Sequence, residues 1–105
     1  MEQPNLSYIY SMSGGDKAFE QKLIDIIKNE FPAEKQVYFT NFEAENFKAT
    51  AESVHKLKHK ISILGLEKSY KLAQAYETNL LENTKVGHLE FEAVLKIITE
   101  YLKQL

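Results

Sequence analysis

Cysteine is absent from this chain of 105 residues, which excludes a disulfide framework and a thiolate metal site. Arginine is absent as well: all 13 basic residues are lysines, so no guanidinium group can grip a phosphate with two parallel hydrogen bonds. No apolar run approaches the roughly 20 residues that cross a bilayer. The chain begins without the basic and then apolar order of a signal peptide. We therefore expect a cytoplasmic protein that does not associate with a membrane.

Nucleic-acid binding is not expected either, because the formal net charge is -2 and such domains are normally basic. The lysines are unevenly distributed, however. Between residues 48 and 71 the only acidic residues are Glu52 and Glu67. Six lysines fall in the same segment: Lys48, Lys56, Lys58, Lys60, Lys68 and Lys71. This segment predicts a positive patch that would attract an acidic protein partner.

Hydrophobic periodicity predicts helices throughout, and nothing in the chain has the alternation of a strand. Asp16 and Asn46 are expected to cap the starts of two long helices. Pro32 should kink the first of these without ending the domain. Gly65 should end the second, and residues 83–87 should form a turn before the last helix. With a short helix from Leu6 to Met12, this organisation predicts one all-α domain, 1–105: an antiparallel four-helix bundle with a short extra N-terminal helix.

The central helix has a clear buried face, because its apolar residues recur in steps of three and four. His55 follows the buried position Val54 by one residue, and a rotation of roughly 100° per residue turns it away from the core. Lys58 lies about one turn further on and would place a cation near this histidine. The predicted buried face comprises Phe47, Thr50, Val54, Leu57, Ile61 and Leu64.

The stretch from Val54 to Leu66 resembles the signature of histidine-containing phosphotransfer (HPt) domains. That signature has a histidine, an apolar residue two positions on, a lysine at three and an apolar-Gly pair at nine and ten. His55, Leu57, Lys58 and the pair Leu64-Gly65 match these positions. The segment from Leu72 to Glu77 resembles the next helix of the family, and the similarity extends over nearly the whole chain.

The resemblance implies a phosphorelay intermediate of two-component signalling without kinase activity of its own. His55 would accept a phosphoryl group on its outer ring nitrogen from a receiver-domain aspartate and pass it to another receiver. Lys58 would stabilise the phosphoryl group, and Glu77 would orient the imidazole through its inner nitrogen. The partners would be receiver domains of a hybrid sensor kinase, a response regulator or both, and these would supply the metal. We expect a monomer without a cofactor.

One position departs from the family pattern: His59 stands where a glycine is usual, four residues after the active histidine. It would crowd the approach of a receiver or contact the phosphoryl group. His55 and His59 have the spacing of a zinc-binding pair, but without a third ligand we expect no metal site. The predicted docking surface comprises Ala51, Lys56, His59, Lys60 and Ser62, extended by Tyr8, Ile9 and Met12 of the first helix.

Two other readings stay open. The chain could be a pseudo-HPt adaptor that binds a receiver or kinase domain without being phosphorylated, and His59 is the residue that favours this alternative. It could also be a purely structural helical module in which the histidines are incidental. Phosphorylation of His55 separates the first alternative from the relay. Binding to a receiver domain separates the second.

Overall fold

A computed structural model describes residues 2–105. It contains five helices, and no strand occurs among these residues, so the all-α prediction is confirmed. The short first helix begins one residue later than predicted. The helices are α1 (Ser7–Ser13), α2 (Lys17–Glu43), α3 (Phe47–Ile63), α4 (Glu67–Leu81) and α5 (His88–Leu102).

Both predicted capping residues begin their helices. The Asp16 carboxylate accepts a hydrogen bond from the backbone N–H of Phe19 at 3.1 Å, at the start of α2. The Asn46 side chain accepts one from Ala49 N–H at 3.1 Å, at the start of α3. Each cap satisfies a backbone donor that the first turn of a helix leaves unpaired and contributes about 1 kcal/mol.

Pro32 lies inside α2, which continues past it for eleven residues to Glu43. A proline in a helix removes one backbone hydrogen bond and is therefore expected to end short helices. Here the helix resumes because aromatic side chains beyond the proline reach the core: Tyr38 is fully buried, and Phe39 and Phe42 pack against the core. The prediction that the domain continues through Pro32 is confirmed.

Helix α3 is the centre of the packing, since it contacts α2 on one side and α4 on the other. Helix α5 packs against α4 and α2, and α1 packs against α2. The predicted inner face of α3 is confirmed at five of its six positions, which are buried: Thr50, Val54, Leu57, Ile61 and Leu64. The sixth, Phe47, is half-buried against the core.

A buried polar cluster joins the aromatic residues of α2, α4 and α5. The Tyr38 and Tyr76 hydroxyls are 2.8 Å apart, and Tyr38 donates to Glu92 Oε2 at 2.9 Å. Burial raises the pKa of Tyr38, and it raises that of Tyr76 to about 12. His88, at the start of α5, lies 3.3 Å from Glu92 through Nδ1 and stacks on Phe42. These bonds fix α4 and α5 relative to α2.

The residues before α1 close the turn between α3 and α4. Asn5 N–H donates to the Leu64 carbonyl at 2.8 Å. The Glu2 carboxylate accepts from the backbone N–H groups of Lys68 and Ser69, each at 2.9 Å, and so caps the start of α4. Gly65 has φ of 77°, and a Cβ there would lie 2.5 Å from the Asn5 side chain. Glycine is thus required at this turn for its backbone conformation and for space.

Candidate functional site

His55 stands on the outer face of α3. Its side chain is 57% exposed, whereas the preceding residue, Val54, is fully buried. The rotation of the helix therefore turns the imidazole out of the core while the adjacent valine anchors the backbone beneath it. The sequence prediction that His55 faces away from the core is confirmed.

Glu77 of α4 holds the imidazole from the side. Its Oε2 lies 3.2 Å from Nδ1 of His55. An ionised carboxylate can only accept a hydrogen bond, so this contact favours the tautomer of the neutral imidazole in which Nδ1 carries the proton and donates to Glu77. Nε2 then carries the lone pair, which is the state in which an imidazole acts as a nucleophile. Helix packing between α3 and α4 thus brings together two residues that are 22 positions apart in the sequence.

Lys58 reaches the same carboxylate from the other side. Its Nζ lies 2.8 Å from Glu77 Oε1, in an ion pair whose angles are not those of a hydrogen bond. Only 9% of the lysine side chain is exposed, and the ammonium group lies 5.5 Å from the centre of the Tyr70 ring. The stem is therefore buried, and the charge is shared with a carboxylate. The predicted lysine patch implied that Lys58 would stand free on the surface. The structure shows it largely buried and paired with Glu77.

Lys60 belongs to a different part of the molecule. It lies five residues beyond His55, a rotation of about 140° around the helix, which directs it toward α2. Its Nζ contacts Glu30 at 2.9 Å and Glu34 at 3.3 Å, and its side chain is 10% exposed. Burial alone would lower the pKa of Lys60, but the two carboxylates outweigh that effect and raise it. Its charge is neutralised within the fold, so Lys60 is not part of the exposed surface around His55.

A shallow groove of about 370 Å³ runs beside His55 between α3 and α4. Ala51 is buried in its lining and keeps it low, as its small size predicted. Leu81, one turn beyond Glu77, is 61% exposed at the groove, and sequence reasoning missed it. Its spacing of four residues from Glu77 was the available signal. The groove is lined by Lys48, Ala51, Glu52, His55, Lys56, Glu77 and Leu81.

His59 is exposed, and its ring lies beside that of His55. The ring centroids are 5.4 Å apart and the planes are nearly perpendicular, at 89°. Lys56 and Ser62 are also exposed. Three members of the predicted docking surface are therefore accessible in the fold, and the structure adds an edge-to-face contact between the two imidazoles.

The suggested extension of this surface onto α1 is wrong for Ile9, which is fully buried in the core. Tyr8 and Met12 of the same helix are exposed. Helix periodicity explains the difference: α1 packs one stripe of side chains on α2, and Ile9 lies in that stripe.

Within residues 2–105, no group of three or more histidine, aspartate or glutamate side chains is arranged to hold a metal ion. Over the same residues, every helix is too short or too polar to cross a membrane. Compared with models of protein families, with curated proteins and with solved structures, the chain matches none. The contacts around His55 are therefore the features of this chain that point to a function.

Proposed function

We propose that this chain is an HPt protein, in which His55 accepts a phosphoryl group from a receiver-domain aspartate and passes it to another receiver. The observation that carries the proposal is the pairing of an exposed imidazole with a carboxylate at Nδ1, at 3.2 Å. Such a partner favours the tautomer in which Nε2, on the exposed side of the ring, carries the lone pair.

The proposed reaction needs little beyond this geometry. Nε2 of His55 attacks the phosphorus of the aspartyl phosphate, the N–P bond forms, and the P–O bond to the aspartate breaks. The aspartate leaves as a carboxylate. The Nδ1 proton stays on the ring, hydrogen-bonded to Glu77, whose negative charge stabilises the positive charge that develops on the imidazole. Transfer back to a receiver reverses these steps. Phosphoryl transfer of this kind depends on positioning and on charge stabilisation.

The proposal includes an architecture, in which α2 to α5 form an antiparallel four-helix bundle and α1 is an addition. Short connections between α2 and α3, residues 44–46, and between α3 and α4, residues 64–66, favour antiparallel neighbours. A bundle of this kind would give His55 a convex, accessible face while α2 and α4 support the helix from both sides.

The receiver would dock over His55 and the groove beside it. Lys48 and Lys56 are exposed there, and their charges suit the cluster of carboxylates expected around a receiver aspartate. Leu81 would supply an apolar contact at the groove edge. Complementary charge of this type accelerates association more than it tightens the complex.

The test is transfer from a receiver domain phosphorylated in solution, with the intact protein and with His55→Ala, His59→Ala and His88→Ala. We expect an acid-labile phosphoryl group on the protein that is lost only with His55→Ala. His88→Ala is the matched control, because His88 also has Nδ1 close to a carboxylate but lies at the start of α5. A receiver that binds without transfer would establish the adaptor alternative instead. Absence of both binding and transfer would favour a purely structural module.

A further inference from the structure

The phosphoryl group that the proposed function places on His55 needs hydrogen-bond donors for its oxygens. Lys58 is the donor that the family resemblance implies, but its ammonium group already pairs with Glu77 at 2.8 Å. The lysine side chain is also largely buried, over the Tyr70 ring. Its charge is therefore divided between the Glu77 carboxylate and any phosphoryl oxygen. This leaves a place at the site for a second donor.

His59 occupies that place. It lies four residues after His55, a rotation of about 40° and a rise of about 6 Å along the helix, so both rings stand on the same strip of surface. Their centroids are 5.4 Å apart at 89°, which puts the edge of one ring against the other. A group attached to the His55 ring would thus lie close to a second ring that has an N–H donor.

Other exposed polar residues nearby are less well placed. Lys56 directly follows His55 and is rotated about 100° away from it around the helix. Ser62 is seven residues further on, which is a rise of about 10 Å, beyond the reach of a hydroxyl group. Among these three exposed side chains, His59 is the one whose contact with the His55 ring the structure shows.

We propose that His59 is a second phosphoryl-contacting residue, whose imidazole N–H donates a hydrogen bond to an oxygen of the phosphoryl group on His55 Nε2. The inference rests on the proposed function, in which His55 carries that group. It assigns a direct role to the residue that stands where the family has glycine. It also gives a reason for the edge-to-face contact of the two imidazoles.

A small phosphoryl donor separates this role from receiver docking. With phosphoramidate, Nε2 attacks phosphorus, the N–P bond to His55 forms, the P–N bond of the donor breaks, and ammonia leaves. No protein partner is present, so a change in rate reports the site itself. The variants are His59→Phe, which keeps an aromatic ring without a donor, and His59→Gln, which keeps a donor without the ring. His88→Phe is the control, because it makes the same substitution at a histidine at the start of α5, outside the site.

We expect His59→Phe to lower the rate of phosphorylation of His55 roughly tenfold, as the loss of one hydrogen bond to a charged group does. His59→Gln should retain most of the rate, and His88→Phe all of it. In the intact protein, ¹⁵N spectra should show the ring nitrogens of His59 shifting when His55 is phosphorylated, a change that a ring far from the phosphoryl group would not show.

Failure of the proposed function and failure of the inference about His59 give different results. If phosphoramidate and receivers both leave the intact protein unphosphorylated, the proposed function is overturned and this inference with it. If His55 is phosphorylated at equal rates in the intact protein and in His59→Phe, only the inference is overturned. Unchanged His59 ring resonances on phosphorylation would also overturn it, as would a phosphoryl group found on His59 itself.

Discussion

Lys58 and Lys60 lie two residues apart on α3, with nearly equal burial, and each pairs with carboxylates of a neighbouring helix. Lys60 meets Glu30 and Glu34 of α2 in a cluster that contains only charged groups. Lys58 meets Glu77 of α4, and the second oxygen of Glu77 is 3.2 Å from an exposed histidine. The first arrangement joins two helices. The second also connects a buried charge to an exposed imidazole.

Since both lysines have carboxylate partners, an ion pair of a buried lysine is not in itself a sign of function. Both pairs satisfy a largely buried ammonium group, which a fold must do wherever a lysine is taken out of water. What distinguishes the α4 side is the carboxylate that serves two partners, one of them a titratable ring. If this distinction is correct, breaking the pair of Lys58 with Glu77 should slow phosphoryl transfer. Breaking the contacts of Lys60 with Glu30 and Glu34 should lower the free energy of unfolding.

The largest effect is expected from Glu77→Gln. The amide removes the negative charge that stabilises the developing imidazolium and no longer enforces the Nδ1–H tautomer of His55. We expect phosphorylation of His55 by a phosphorylated receiver to slow on the order of a hundredfold. Single-turnover transfer kinetics measure this. A rate within threefold of the intact protein would mean that Glu77 does not orient His55.

Lys60→Met should change stability and leave transfer intact. The apolar side chain keeps the buried stem but leaves Glu30 and Glu34 facing each other without their cation. We expect a loss of about 2 kcal/mol in the free energy of unfolding, less than for a fully buried pair because Glu30 is half exposed. Urea unfolding gives the value. Slower transfer in a folded Lys60→Met protein would contradict the division between the two pairs.

The same variant should show a distinct pH dependence. Because the folded-state pKa of Lys60 is raised, its contribution to stability is fully present below the unfolded value of 10.5 and is lost as pH rises through the folded value. The difference in the free energy of unfolding between the intact protein and Lys60→Met should therefore narrow as pH rises from 10.5 through the folded-state pKa. Urea unfolding of both proteins across this pH range tests the prediction. A stability difference that does not change with pH would contradict it.

Glu2→Ala should give the smallest effect, since Glu2 is bonded to backbone N–H groups of α4 and to no lysine ammonium. We expect a loss of about 1 kcal/mol, typical of a helix cap. Burial acts to raise the pKa of Glu2, but the bonds from Lys68 and Ser69 lower it overall. Its contribution is thus present above the unfolded value of 4.5 and lost as pH falls through the folded value. Unfolding curves at pH 7 and at successively lower pH should show the difference between the intact protein and Glu2→Ala shrink below pH 4.5.

Local signals in the sequence predicted most of the fold. Asp16 and Asn46 act through hydrogen bonds three residues away, and the inner face of α3 follows from a period of 3.6, so neither needed tertiary information. The outward direction of His55 followed from the same period. The contact of Glu77 with His55 could not be predicted from local signals, because the packing of α3 on α4 creates it. Only the family resemblance suggested a role for Glu77.

Two members of the predicted lysine patch, Lys58 and Lys60, are buried rather than exposed, and the reason is physical. Lys58 and Lys60 are about 200° apart on the helix, so they cannot belong to one surface. Their partners lie 19 and 26 or more residues away, on helices whose packing is not encoded locally. The prediction for Ile9 was wrong because a helix of seven residues is too short for its hydrophobic pattern to define the buried stripe.

The docking of Glu2 and Asn5 on the turn around Gly65 has a consequence for how the protein opens. The two contacts of Glu2, with Lys68 and Ser69, span 66 and 67 positions of the sequence. The pairing of α3 with α4, in contrast, is local in sequence. Long-range contacts of this kind cost the most loop-closure entropy and are expected to form late and release early. The backbone amides of Lys68 and Ser69 should therefore exchange with solvent deuterium when this segment lifts, before α3 and α4 separate. The turn around Gly65, which joins α3 with His55 to α4 with Glu77, could then change its conformation while both helices are still folded.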